Sequence, residues 1–300
     1  MNITAAPPFV ARQPGPAAPV DLLPPVLQTL WGWPAVANFA LGGMGAGLYV
    51  VAAVAAGFGP SAALRIAAWL GPLLVLTGFV AVALEAGHPF RGARVLARMH
   101  TSWMSRELWL GGIFALCAAG TLAADGRGPR VLAAALAVAF ALAQGQILRH
   151  ARGVAAWAVP PMPAVFLTSA LTSGAGLLLV LEAWTGRPPD RLFGAALVTL
   201  LVHLGVWSVF ISWSRDEAFV RGVRPLCEGS SVVAFVGGSL VPSLLAALAI
   251  ALPPLGQPLA ALAGGLMVLG QASMKATLIR KAGQLRPISL PSERLQRRSS

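Results

Sequence analysis

Between Leu84 and Trp109 the sequence reads LEAGHPFRGARVLARMHTSWMSRELW, and this passage carries Arg91, Arg94, Arg98, Arg106, His88, His100, Glu85 and Glu107. It is flanked on both sides by stretches made mostly of Ala, Leu, Val and Gly. Histidine changes charge near neutral pH and serves as a general base. Carboxylates accept protons, and guanidiniums donate several hydrogen bonds in a fixed fork. Grouped together, such residues suit a substrate that offers oxygens for hydrogen bonding and gives up protons as it is oxidised. An amide adds orientation without changing charge, and Asn38 is the candidate upstream.

The rest of the chain must place that chemistry at a membrane. Hydrophobic residues make up 57% of the 300 residues and charged ones 11%, and the mean hydropathy is +0.74. A water-exposed surface normally carries about a quarter of its residues as charges, so this chain faces lipid. The net charge of +12 lies between apolar runs and in the tail, as in membrane proteins, and does not point to nucleic acid. Residues 1–30 are rich in Pro and Ala and lack a basic start followed by an apolar core, so no cleavable export signal is expected.

A helix needs about 20 apolar residues to cross the hydrocarbon. Eight such runs are expected, near 33–58, 62–86, 104–124, 129–148, 164–184, 191–213, 231–252 and 255–278. The fold class is therefore an all-α integral membrane protein with eight transmembrane helices. An internal shift of 129 residues lays Pro34-Ala35-Val36 on Pro163-Ala164-Val165 and Gly45-Ala46-Gly47-Leu48 on Gly174-Ala175-Gly176-Leu177. This weak parallel repeat implies two four-helix bundles. The expected organisation is a disordered N-terminal segment (1–30), a first bundle with the site (31–152), a second bundle (153–280) and a basic C-terminal tail (281–300). With eight spans both termini share a side. That side holds seventeen of the 22 Lys and Arg residues, which predicts that the termini and the 84–109 passage face the cytoplasm.

This topology brings Asn38, Glu85, His88, Arg106, Glu107, Gln144, Gln146, Arg149 and His150 to one lipid–water boundary. Ionisable groups there are costly and default to function. The mixture fits a quinone, whose two oxygens take hydrogen bonds and whose reduced form releases two protons. The quinone-binding candidates are Asn38, Glu85, His88, Arg91, His100, Arg106 and Glu107. Plainer roles exist for several of them. Arg91, Arg94 and Arg98 also serve as topology and headgroup anchors, Trp103 and Trp109 as interfacial belt residues, and Asn38 as a bridge between helices. His203 sits alone in the sixth span and reads as a packed histidine. Glu182 and Asp190 lie on the opposite side within reach of Arg187 or Arg191. The run GGMGAG at 42–47 resembles a nucleotide fingerprint, but no strand precedes it; Gly43 and Gly47 read as a small-residue face for helix packing. No metal site is assigned. Cys117 and Cys227 fall short of the roughly four ligands of an iron–sulfur cluster, and the four histidines offer no deep pair, so the chain reads as haem-free.

Several motifs carry a family resemblance. WGWPAVANFALGGMGAG resembles the opening of the NrfD/PsrC-type polysulfide reductase membrane subunits, and GHPFRGARVLARMHTSWMSRELW resembles a loop they share with the DmsC-type dimethyl sulfoxide reductase anchors. WAVPPMPAVFLTSALTSGAG is similar to the start of the fifth helix in the same group. The resemblance implies a quinone-interacting membrane anchor, itself without haem or iron–sulfur cluster. Its cofactor is menaquinone or ubiquinone. Its implied partners are a ferredoxin-like iron–sulfur subunit and a molybdopterin catalytic subunit, in the inner membrane of a bacterium with an anaerobic type of respiration. Quinone-site roles carry over to Asn38, His88, Arg91 and Arg106, with Glu85 and Glu107 as further candidates. A single tyrosine, Tyr49, departs from relatives that use a tyrosine donor. The rival readings are a secondary transporter, which needs paired polar sites in both halves, and a membrane scaffold without redox work.

Overall fold

The structure, a computed structural model, describes residues 20–85, 98–123, 126–186 and 188–290. His88, Arg91 and Arg94 lie outside the described residues, as do 1–19 and 291–300. A short strand, β1 (Val20–Leu23), is followed by α1 (Trp33–Ala55), α2 (Ala62–Glu85), α3 (Trp103–Ala123) and α4 (Arg127–Arg149). Then come α5 (Met162–Thr185), α6 (Asp190–Ile211), the short α7 (Glu217–Val223), α8 (Ser230–Phe235), α9 (Val241–Ala251), α10 (Gly256–Arg280) and β2 (Ile288–Leu290).

Among the described residues seven helical segments are long and apolar enough to cross a membrane. They are α1, α2, α4, α5, α6, the joined Ser230–Ala251 segment and Pro253–Arg280. The difference from the expected eight is α3. It has 21 residues, but it opens WMSRELW, and this polar start lowers its overall hydropathy. It still packs within the bundle, against α2 and α4. The Ser230–Ala251 segment is interrupted by a π turn at Val236–Leu240, just ahead of Pro242. Proline has no N–H to give the turn before it, and a widened turn absorbs that loss.

Helices α1 and α5 form the centre. In each, 72% of the span is buried, against 28% for α2 and α6. Each begins with a proline in its first turn, where the missing donor costs nothing. Their backbones meet where a Cβ on Gly47 would collide with the carbonyl of Ala170, and one on Gly174 with Gly47. Small residues permit such approach in lipid, where dispersion and close packing hold helices together. Gly43, one turn earlier, faces side chains and not a helix backbone.

The described ends of the chain run together at the end of the bundle where α1 begins. Strand β1 pairs antiparallel with β2, joining Val20 to Leu290 and Leu23 to Ile288. Gln28 Nε2 donates to the carbonyls of Trp31 (3.1 Å) and Ile279 (3.2 Å). Trp31 stacks on Trp157 at 5.2 Å, and the Trp157 indole donates to the Leu278 carbonyl at 3.0 Å. These contacts fix the approach to α1, and so the depth of Asn38.

Candidate functional site

Asn38 lies about one and a half turns into α1, Glu107 one turn into α3, and Gln144 about one and a half turns before the end of α4. All three are buried. They converge because α1 and α3 start, and α4 ends, at the same face of the bundle. Asn38 Nδ2 donates to Glu107 Oε1 at 3.0 Å, and Gln144 Nε2 donates to the same oxygen at 3.1 Å. Gln144 Nε2 also reaches the Asn38 carbonyl at 3.3 Å. One carboxylate oxygen is thus held by two amides, and the second stands outside that pair of bonds.

Two acceptors in this group are left over. Asn38 Oδ1 and Gln144 Oε1 are buried and meet no hydrogen-bond donor among the described residues. An unsatisfied buried acceptor costs about 1–3 kcal/mol, so its persistence calls for a reason. The Asn38 oxygen faces Gly78 of α2, where an added Cβ would come within 3.0 Å of it.

Asn38 and Glu107 form one wall of a cleft of about 490 Å³ between α1, α2 and α3. Its remaining lining is apolar, including Trp31, Phe39, Phe79 and Met104. Leu30, Val80 and Met104 on its lining are exposed, so the cleft is open to the apolar surroundings. This combination of an apolar slot and a few convergent polar groups is the usual form of a small-ligand site. It fits a flat ring with two oxygens and an apolar tail.

The other sequence candidates fall elsewhere. Arg106 precedes Glu107 and turns away: its Nε donates to the Met99 carbonyl at 3.0 Å and its Nη2 to the His100 carbonyl at 2.8 Å. Its guanidinium also lies 4.4 Å over the Trp103 ring. His100 is exposed. Glu85 ends α2, and its side chain is not described. Trp103 and His150, 5.6 Å apart, line a surface groove of about 520 Å³ with Arg149 and Arg152. At the opposite end Glu182 accepts from Ser61 Oγ at 2.6 Å, and Tyr49 pairs with Thr121 at 3.2 Å. The one tyrosine is therefore remote from the Asn38–Glu107 cleft.

The sequence reading missed a second buried polar group. His203 Nδ1 bonds Thr168 Oγ1 at 2.9 Å. Beside it Ser169, Gln271 and Lys275 line a chamber of about 10 Å³ between α5, α6 and α10. His203 Nε2, Ser169 Oγ and both ends of the Gln271 amide have no partner there. Lys275 had counted only as one of the terminus-side cations, yet it is 4% exposed. A glutamine and a lysine at 271 and 275, one turn apart inside a long apolar run, were the available signal.

The family model of the DMSO reductase anchor subunit DmsC matches residues 27–209. The chain belongs to the DmsC family. NrfD/PsrC-type subunits form a related anchor family, and no curated protein matches the chain. The match runs from before α1 to the last turn of α6, and so includes Asn38, Glu107, Gln144 and His203 but not Lys275. Membership makes this DmsC-family chain a membrane anchor of a molybdopterin oxidoreductase. Anchors of this family interact with quinol, and the family implies catalytic and iron–sulfur partner subunits.

Proposed function

We propose that this DmsC-family anchor binds a quinone headgroup in the cleft between α1, α2 and α3 and exchanges electrons between it and a ferredoxin-like iron–sulfur subunit. The observation that carries this reading is the buried Glu107 carboxylate, held by Asn38 and Gln144 on the wall of an otherwise apolar slot. The quinol supplies two electrons and two protons on oxidation. Glu107 takes one proton from the nearer hydroxyl through the oxygen outside the two amide bonds. The proton of the other hydroxyl passes to water at the membrane surface, and the two electrons pass to the iron–sulfur subunit. Asn38 fixes the carboxylate, and its own unpaired Oδ1 lies within the same group. Phe39, Phe79 and Trp31 exclude water and pack the ring. In the reductive direction the same groups act in reverse.

The groove carrying Trp103, Arg149, His150 and Arg152 is the docking face for the iron–sulfur subunit on this reading, being basic, exposed and at the same end as the cleft. His88 and Arg91, with Glu85, belong to the passage that joins α2 to α3 and so flank the cleft in sequence. The membrane is the bacterial inner membrane, with both termini cytoplasmic, supported by sixteen of the 21 basic residues other than the buried Lys275 falling on that side.

The test is Glu107→Gln in the assembled complex. Quinol-dependent turnover should fall about a hundredfold or more, as loss of a positioned base does, while dye-linked activity of the catalytic subunit persists. Unchanged quinol turnover would overturn the assignment.

A further inference from the structure

Lys275 is buried in α10 at 4% exposure, and among the described residues no carboxylate pairs with it. Its ammonium lies 5.8 Å above the Phe166 ring. Isolated buried charges are costly, and proteins keep them only where something compensates. A polar group stands near it across Gly43. A Cβ there would fall 2.6 Å from Lys275 Nζ and 3.3 Å from Gln144 Oε1. The ammonium and the unpaired amide oxygen therefore border the same small space, which exists because residue 43 has no side chain.

We propose that Gln144 couples Lys275 to Glu107, with its amide nitrogen on the carboxylate and its amide oxygen turned to the ammonium, making Lys275 a positioning residue of the cleft. The amide has the polarity this needs: Nε2 donates to Glu107 Oε1 at 3.1 Å, and Oε1 is left for a cation. Lysine has three donors. One side of the ammonium faces Gln144, and the other borders the chamber of His203, Ser169 and Gln271. That chamber is about one water in size. The inference rests on the quinone reading of the cleft only for its catalytic consequence; the coupling itself does not need it.

Among the described residues, the charged and titratable groups facing the pair are few. Helix α6 contributes His203, the one titratable group there, while α1 and α5 face the pair with the neutral Asn38, Gly43, Phe166 and Ser169 and α10 with the neutral Gln271. A cation near a carboxylate favours its ionised form. Removing the cation should move the acid limb of the quinol-turnover profile to higher pH.

The experiment uses Lys275→Met and Gln144→Leu in the whole complex, each normalised to its dye-linked activity. Two readouts are taken: the pH profile of quinol turnover, and the infrared carboxylic-acid band that disappears in Glu107→Gln. The expected result is an upward shift of both midpoints by about one pH unit, a tenfold change in proton affinity, in either single variant. The double variant should shift no further, since each breaks the same link. Because Gln144→Leu also removes a direct donor to the carboxylate, Lys275→Met decides: midpoints that stay in place in that variant overturn the coupling even where Glu107→Gln abolishes quinol turnover. If the infrared midpoint moves while Glu107→Gln keeps full quinol turnover, the coupling stands and the cleft assignment fails.

Discussion

Two of the buried polar groups among the described residues, Asn38–Glu107–Gln144 and the one around His203, lie toward the same end of the bundle and differ in what surrounds them. The Asn38–Glu107–Gln144 group opens on a cleft of about 490 Å³ that is otherwise apolar. The group around His203 encloses about 10 Å³ and has several unmatched hydrogen-bonding atoms. The first has room for an organic ring and few polar contacts to orient it. The second has many polar contacts and room for about one water. Polarity alone does not make a ligand site in a membrane; polarity at the edge of an apolar void does.

Four substitutions test this contrast. Glu107→Gln carries the largest expected effect, the quinol-specific loss set out above. Next is Gly78→Ala, whose new methyl would press on Asn38, 3.0 Å from its Oδ1 and 3.1 Å from its backbone carbonyl oxygen. Displacing that amide should raise the KM for quinol about three- to tenfold, as small misplacements at a site do, with dye-linked activity unchanged. An unaltered KM would remove Asn38 from the headgroup. In the closed chamber Thr168→Val deprives His203 Nδ1 of its partner, so it should lower stability by about 1–3 kcal/mol without raising KM. Thermal unfolding in detergent, read beside KM, separates the two regions; a raised KM with normal stability would join them. Smallest is Arg106→Ala, which removes a half-buried guanidinium from the carbonyls of the exposed Met99 and His100. Quinol and dye activities should then fall together by less than about twofold, as for most surface changes. A quinol-specific loss would instead put that guanidinium at the headgroup.

Much of the site's composition was legible. Asn38 and Glu107 stood out because polar residues are rare in spans, and span direction placed them at one boundary. Arg106 stood out for the same reason, yet its side chain points back to the 98–100 turn. Adjacent helix positions face about 100° apart, and here Glu107 takes the side of the cleft while Arg106 takes the side of the 98–100 turn. Lys275 was misread because a cation near the end of a span looks the same in sequence whether it reaches water or turns inward.

The sequence by itself determined that the chain lives in lipid, where its helices run and which end collects protonatable groups, because those follow from composition and from the length a helix needs to span hydrocarbon. Tertiary structure alone decided the rest. Helices α1 and α5 cross at Gly47 and Gly174, and Gln144 of α4 and Lys275 of α10 come to the two sides of Gly43. Such encounters depend on how each helix is rotated against its neighbours, which side-chain packing sets and a nearly uniform apolar sequence does not encode.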